Sequence, residues 1–247
     1  MKKKTLFGII MIALLVTACN VSPQANGSTN GDMETMELKA EPTESVLSDD
    51  VILRDEFGDD INKNWGMKIV SGLEEQLLWS QENGRFRLQL LPPNDTNFVF
   101  LRKDANYKDV IVQAEVENYA QLDNAYSLIC RATDAGWYEL RISSQGYYEL
   151  LRYDQYLADQ GKNAYTNYFE KRLGSTLINS GLEKNVFALS CEGNQLKVFI
   201  NGEQVYVDKR PLTIEDDTYT EGTIGFGALG YGKEVDITFN YIETVKP

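Results

Sequence analysis

From Val51 onward, apolar and polar residues alternate with period two in short runs, and the runs are bounded by Gly, Asn and Asp. That period marks strands with one dry face and one wet face. The runs fall at 51–54, 77–80, 85–90, 96–101, 110–119, 125–132, 137–143, 147–153, 185–192, 195–200, 203–208, 223–228 and 235–243. Many short strands with almost no helical period predict an all-β fold, a two-sheet antiparallel sandwich. Asn201-Gly202 lies between two such runs and reads as a type I′ hairpin. Glu192-Gly193-Asn194 marks a turn one strand earlier. Residues 157–182 have weak periodicity and read as a long loop with a short helical piece at 166–172. Loops of that length in compact domains are often functional.

The densest pattern runs from Trp137 to Tyr153, two strands meeting at Gly146. Tyr138, Leu140 and Ile142 form one side and read as core. Trp137, Glu139 and Arg141 form the other and read as solvent-facing. An indole, a carboxylate and a guanidinium on one strand face supply an aromatic platform and fixed polar groups, as glycan sites require. Arg131, Tyr147 and Glu149 on neighbouring runs extend this candidate ligand-binding set. The plainer reading is sheet decoration, with Glu139 and Arg141 as cross-strand ion-pair partners.

Residues 1–18 combine Lys2, Lys3 and Lys4 with an apolar run and small residues. The run is too short to span a bilayer and reads as a secretory leader. Leu15-Val-Thr-Ala-Cys19 resembles the bacterial lipobox, which implies cleavage before Cys19 and lipidation of its thiol. Lipidation of this kind makes the lipid bilayer a partner and the extracytoplasmic face of a cell membrane the expected location. Residues 19–50 hold no aromatic residue and read as a disordered tether. The predicted organisation is a leader at 1–18, a lipidated cysteine and linker at 19–50, and one domain at 51–247.

Charge and composition then remove function classes. The formal net charge is −13, and loss of the leader lysines makes it more negative by three. Such a chain repels nucleic acid. There is no histidine, which excludes Ser-His-Asp and Cys-His catalysis and His-ligated zinc. Cys19, Cys130 and Cys191 are too few and too scattered for a cysteine-only metal site. Cys130 and Cys191 sit mid-strand among apolar neighbours; they are either a disulfide or two small buried hydrophobes.

One series of motifs resembles a known family. It runs Asp55-Glu-Phe57, Trp65, Ser127-Leu-Ile-Cys-Arg131, Gly136-Trp-Tyr-Glu-Leu140, Gly146-Tyr-Tyr148, Cys191-Glu-Gly193, Leu196 to Gly202, Gly222-Thr-Ile-Gly-Phe226 and Val235-Asp-Ile-Thr-Phe239. The series is similar to the concanavalin A-like lectin/glucanase superfamily in its laminin-G-like branch, and covers nearly all of 51–245. The resemblance implies a jelly roll whose concave sheet often binds glycans. Asn240 stands where that family commonly has aspartate. The glucanases it resembles carry a bulged Glu-x-Asp-x-x-Glu strand; here the nearest pairing is Glu115-Val-Glu117, and Glu215-Asp-Asp217 falls in a loop. Related domains often bind calcium at the rim. Asp55, Asp59, Asp60, Asp216, Asp217 and Asp236 are the candidate ligands here, although no spaced calcium loop appears. The resulting expectation is a membrane-anchored lipoprotein with a non-catalytic carbohydrate-binding domain and no required cofactor. A glycoside hydrolase of the same fold and a protein-interaction module are the alternatives.

Overall fold

A computed structural model describes residues 50–93, 95–120 and 124–247. The leader, the lipidation site Cys19 and the tether lie outside the described residues, apart from Asp50.

The strands are β1 (Val51–Asp55), β2 (Trp65–Ser71), β3 (Leu77–Glu82), β4 (Arg85–Leu90), β5 (Asp95–Arg102), β6 (Val110–Asn118), β7 (Asn124–Thr133), β8 (Gly136–Ser143), β9 (Tyr147–Asp154) and β10 (Tyr165–Asn167). They continue with β11 (Leu173–Gly174), β12 (Lys184–Glu192), β13 (Gln195–Ile200), β14 (Glu203–Gln204), β15 (Tyr206–Val207), β16 (Arg210–Pro211), β17 (Thr213–Glu215), β18 (Thr223–Tyr231) and β19 (Val235–Val245). Two short helices, α1 (Ile61–Asn64) and α2 (Gln155–Asp159), interrupt them.

The strands form two large antiparallel sheets, and β15 pairs with β16 in a separate two-stranded sheet. One has the order β14-β13-β12-β6-β19-β4-β3, with β1 beside β19 and β17 beside β13. The other has the order β10-β9-β8-β7-β18-β5-β2, with β11 beside β9. Sequence neighbours such as β5 and β6 lie in different sheets, so the chain crosses the sandwich repeatedly. Asn201 and Gly202 both take positive φ, 48° and 85°, as the type I′ hairpin requires.

The core is the set of inward positions that the alternation selects. Phe86, Phe100, Phe226 and Phe239 pack with Trp65, with ring centroids 4.7–5.6 Å apart in the Phe226-centred contacts. Tyr138, Leu140 and Ile142 belong to this core, as their parity predicts. Cys130 of β7 and Cys191 of β12 are joined as a disulfide across the sheets, with Cα atoms 6.7 Å apart and a sequence separation of 61. On a chain-entropy basis a loop of that size contributes about 4 kcal/mol.

The 157–182 stretch differs from its prediction. No helix forms at 166–172. Thr166 instead pairs with Arg152 in a strand ladder. The helix comes earlier, at Gln155–Asp159, where the Asp154 side chain accepts from the Leu157 N–H and caps it. β2 lies outside the predicted runs; its Met67 and Ile69, opposite Phe100 and Phe98 at an open sheet edge, are 38% and 39% exposed.

Candidate functional site

Directly opposed residues share a sheet face, so the register defines the outer face of the second sheet. On β8 it carries Trp137, Glu139 and Arg141, opposite Tyr153, Leu151 and Glu149 of β9. On the other side it continues through Ile129 and Ser127 of β7, then Gly225 and Gly227 of β18. It continues on Leu101, Val99, Asn97 and Asp95 of β5, with Gly66, Lys68 and Ser71 of β2 opposite the first three at the sheet edge. Gly227 keeps the floor low. A Cβ there would sit 2.4 Å from the Phe98 carbonyl oxygen and 3.0 Å from Val99.

This face is not the open surface that the alternation suggests. Trp137 and Glu139 are 0% exposed and Arg141 is 8% exposed. The chain leaving β9 folds back over the sheet. Leu157 and Ala158 of α2, with Ala164 and Tyr165, pack on Trp137, Tyr153, Val99 and Ile129 as a second apolar cluster. Trp137 stacks on Tyr153 at 3.9 Å and 16°. The Lys68 ammonium lies 5.0 Å from the Trp137 ring centroid and hydrogen-bonds Gln155. Burial lowers the Lys68 pKa, with Asp134 and Asp159 acting the other way. Trp137 is therefore core, and no free ring face remains for a ligand.

Two other expected members lie away from this cluster, one off the face and one at the far end of its strand. Arg131 sits in a β-bulge between Cys130 and Thr133 with φ 52°, which breaks the alternation. Its side chain is fully buried and donates to the carbonyls of Lys108 and Tyr219, with Asp109 at 3.3 Å. It holds loops together and is not on this face. Tyr147 is 41% exposed at the far end of β9. Glu149 is on the face, where it accepts from Asn167 and pairs with Arg172 at 3.6 Å.

What the structure assembles is a polar relay beside the sealed half. The Glu139 Oε2 atom accepts from Trp137 Nε1 at 2.9 Å and from the Tyr165 hydroxyl at 3.0 Å. Its Oε1 atom accepts from Arg141 Nε at 2.6 Å. Tyr165 in turn accepts from Asn97 Nδ2 at 3.0 Å. Burial, and then the adjacent Glu139 carboxylate, push the Tyr165 hydroxyl well above its ordinary range, so it keeps its proton. Burial opposes the Arg141 charge, but the Glu139 carboxylate outweighs it and holds the guanidinium above its ordinary pKa. The guanidinium also lies 4.1 Å from the Tyr165 ring centroid.

Beside the relay is a cavity of about 490 Å³ whose lining includes Asn97, Arg141, Tyr153, Tyr165, Leu229 and Tyr231. Two lining side chains carry buried polar atoms with no hydrogen-bond partner among the described residues, Asn97 Oδ1 and Arg141 Nη2. Such orphans are rare and costly, about 1–3 kcal/mol each. A cavity on the outer face of the other sheet, about 170 Å³, is lined instead by Ser80, Glu82, Asn83, Arg85, Arg87 and Thr238, with no aromatic ring.

Of the acidic candidates, Glu115 and Glu117 lie on the first sheet, paired with Lys184 and Arg85. The calcium candidates are dispersed. Asp55 binds Arg102 and Trp65, Asp59 pairs with Lys63, and Asp60 caps α1. Asp216 takes Arg152 and two tyrosine hydroxyls, and Asp236 takes Arg87. Among the described residues no cluster of three or more His, Cys, Asp or Glu side chains is placed to hold a metal ion.

No protein-family model matches the chain, and no curated protein matches it. Solved structures do. A carbohydrate binding module, CBM66 from Bacillus subtilis, superposes with a TM-score of 0.51 at 14% identity, over 73% of this chain and 96% of that one. The β-glucanase of Bacillus licheniformis superposes at 0.54 and 12% identity, over 79% and 98%. The fold is the concanavalin A-like jelly roll. A Bacillus subtilis protein of unknown function with a galectin-like fold aligns too, at 0.56 and 14% identity, over 80% and 96%. At these identities the shared property is the jelly roll itself, and the site must be argued from this chain's own residues.

Asn97, Tyr165, Leu229 and Tyr231 are among the cavity residues that sequence reading missed. Asn97 carried a signal. It is a polar residue in an apolar run, at the parity of Val99 and Leu101. Tyr165 carried none, since only the fold-back of 155–165 brings it to Glu139.

Proposed function

We propose that this protein is an extracytoplasmic lipoprotein, anchored in a membrane through Cys19, whose jelly-roll domain binds carbohydrate without catalysis. The observation that carries the binding reading is the cavity of about 490 Å³ on the outer sheet face, walled by Tyr153, Tyr165 and Tyr231 beside the polar side chains of Asn97 and Arg141. Sugars suit this arrangement, with C–H faces for tyrosine rings and hydroxyls for polar side chains. The carbohydrate-binding module among the structural neighbours is consistent with it. Catalysis is not part of the proposal. Hydrolysis of glycosides needs two working carboxyl groups, and Glu139 already accepts three hydrogen bonds.

The test is a glycan array probed with the whole chain. Wild-type protein is expected to bind, and Asn97→Leu to lose at least tenfold in affinity while its thermal midpoint stays close to wild type. A silent array alongside recovery of a protein partner would favour the interaction-module alternative and end the carbohydrate reading. For the anchor, Cys19→Ser is expected to move the protein from the membrane to the soluble fraction. Retention of the variant in the membrane would refute that part.

A further inference from the structure

The outer face of the second sheet is closed over by contacts between its two margins. Tyr165 belongs to β10 at one margin, and its hydroxyl accepts from Asn97 Nδ2 of β5, next to the other margin, at 3.0 Å. Lys68 of the edge strand β2 donates to Gln155 Oε1, at the start of α2, at 2.5 Å. Both bonds are made over β8, since Tyr165 also reaches Glu139 and the Lys68 ammonium lies 5.0 Å from the Trp137 ring centroid. A third contact stands on the β9 side. Arg172 pairs with Glu149 of β9 at 3.6 Å, and its guanidinium lies 4.4 Å from the ring centroid of Tyr231 on β18. β8 and β7 lie between those two strands, so the guanidinium spans them. Asn97, Tyr165 and Tyr231 are themselves cavity walls, so the first and third contacts stand at the cavity.

We infer that the cavity takes the terminal sugar of a glycan chain and excludes internal ones; the inference rests on the carbohydrate reading above. A polymer held through an internal unit must leave its site in two directions. Toward Trp137 it would have to part Tyr165 from Asn97 and Lys68 from Gln155, and then lift Leu157 and Ala158 off the indole cluster. Toward β9 it would have to part Arg172 from Tyr231. The exposed lining residues, Ser71, Asp95, Gly161, Lys162 and Asn163, mark the mouth, between the β2 side and the turn of the fold-back. A sugar that enters there has its far side against the bridges, which leaves one way out for the rest of its chain. The volume agrees, because a cavity of about 490 Å³ lies in the lower half of the range for small-molecule sites, about 300–1,000 Å³, and suits one or two rings. Arg172 is a specificity-determining residue on this reading, since it stands in the path of a second arm.

The experiment titrates the whole chain with a linear polysaccharide that binds on the glycan array, and with its oligomers of rising length. One protein is expected to bind per polymer molecule whatever the polymer length, and affinity should stop rising within about three sugar units, the most a cavity of this class holds. Cutting the polymer with an endo-acting hydrolase should raise the protein bound in proportion to the chains produced. A count that grows with polymer length, or an affinity that keeps climbing with it, overturns the inference and leaves the carbohydrate reading standing. Binding of no glycan overturns both. Arg172→Ala removes the barrier on the β9 side, so the count is expected to rise from one per polymer to several. An unchanged count in a folded variant would refute the part given to Arg172. If that variant does not fold, the wild-type count still decides.

Discussion

The two ends of the outer face of β8 started as equals and ended differently. Trp137 and Arg141 have the same parity on the same strand, about 13 Å apart at ordinary strand rise. At the Trp137 end the chain folds back, the indole stacks on Tyr153, and its N–H is used by Glu139. At the Arg141 end the fold-back itself walls a cavity, with Ala158, Ala164 and Tyr165 in its lining, and two polar atoms have no partner among the described residues. The difference teaches that strand parity selects a side of the sheet but not what lies on it. A buried aromatic with all its polar atoms bonded is structure, whereas polar and aromatic side chains around a cavity are where the binding proposal places its ligand. Glu139 belongs to both ends, since it joins Trp137, Tyr165 and Arg141.

Three substitutions separate the two ends, in order of expected cost. Trp137→Ala removes a fully buried indole and should destabilise the fold by about 3–5 kcal/mol in denaturant unfolding. Near-wild-type stability with lost glycan binding would return Trp137 to the ligand site and erase the contrast. Glu139→Ala leaves the Arg141 charge buried and uncompensated, and should cost about 3 kcal/mol. It should also weaken glycan binding, because the carboxylate serves both ends; a variant that loses stability alone would confine Glu139 to the sealed end.

The smallest effect is at Asp216, which anchors the sealed end from the core side through the Tyr138 hydroxyl. Burial raises its pKa, but hydrogen bonds from Tyr138, the Thr218 backbone and Tyr168 outweigh this and hold it at about 2. A carboxylate depressed on folding stabilises above its unfolded value near 3.9, and the gain fades as pH falls through about 2. After allowance for screening the gain is roughly 1 kcal/mol. Asp216→Asn should therefore flatten the stability profile between about pH 4 and pH 2. A profile parallel to wild type would mean that other carboxylates control acid unfolding.

Much of the fold was legible because it rests on local alternation. Tyr138, Leu140 and Ile142 went to the core as their parity required, and Asn201-Gly202 turned as its residue types demand. The second sheet's cover was not legible. Its residues touch Trp137 through contacts that no period encodes, and its helix depends on one cap at Asp154. Arg131 misled for a related reason, since a bulge costs one residue of register and that residue was the arginine. The candidate site was half visible. Glu139 and Arg141 stood out as charges on a strand, while Tyr165 and Tyr231 came from distant stretches.

The placement of the two ends of β19 has a mechanical consequence. Asp50 and Lys246 meet at one end of the sandwich, where the Lys246 N–H donates to the Asp50 carbonyl at 3.3 Å. Tyr231 and Asp95, in the cavity wall, face each other at the opposite end, next to where β19 begins. A pull between a captured ligand and whatever precedes Asp50 therefore runs along the strands. The ladder of β1 on β19, from Val51 opposite Val245 to Asp55 opposite Ile242, takes that load in shear, with its bonds strained together and not peeled one at a time.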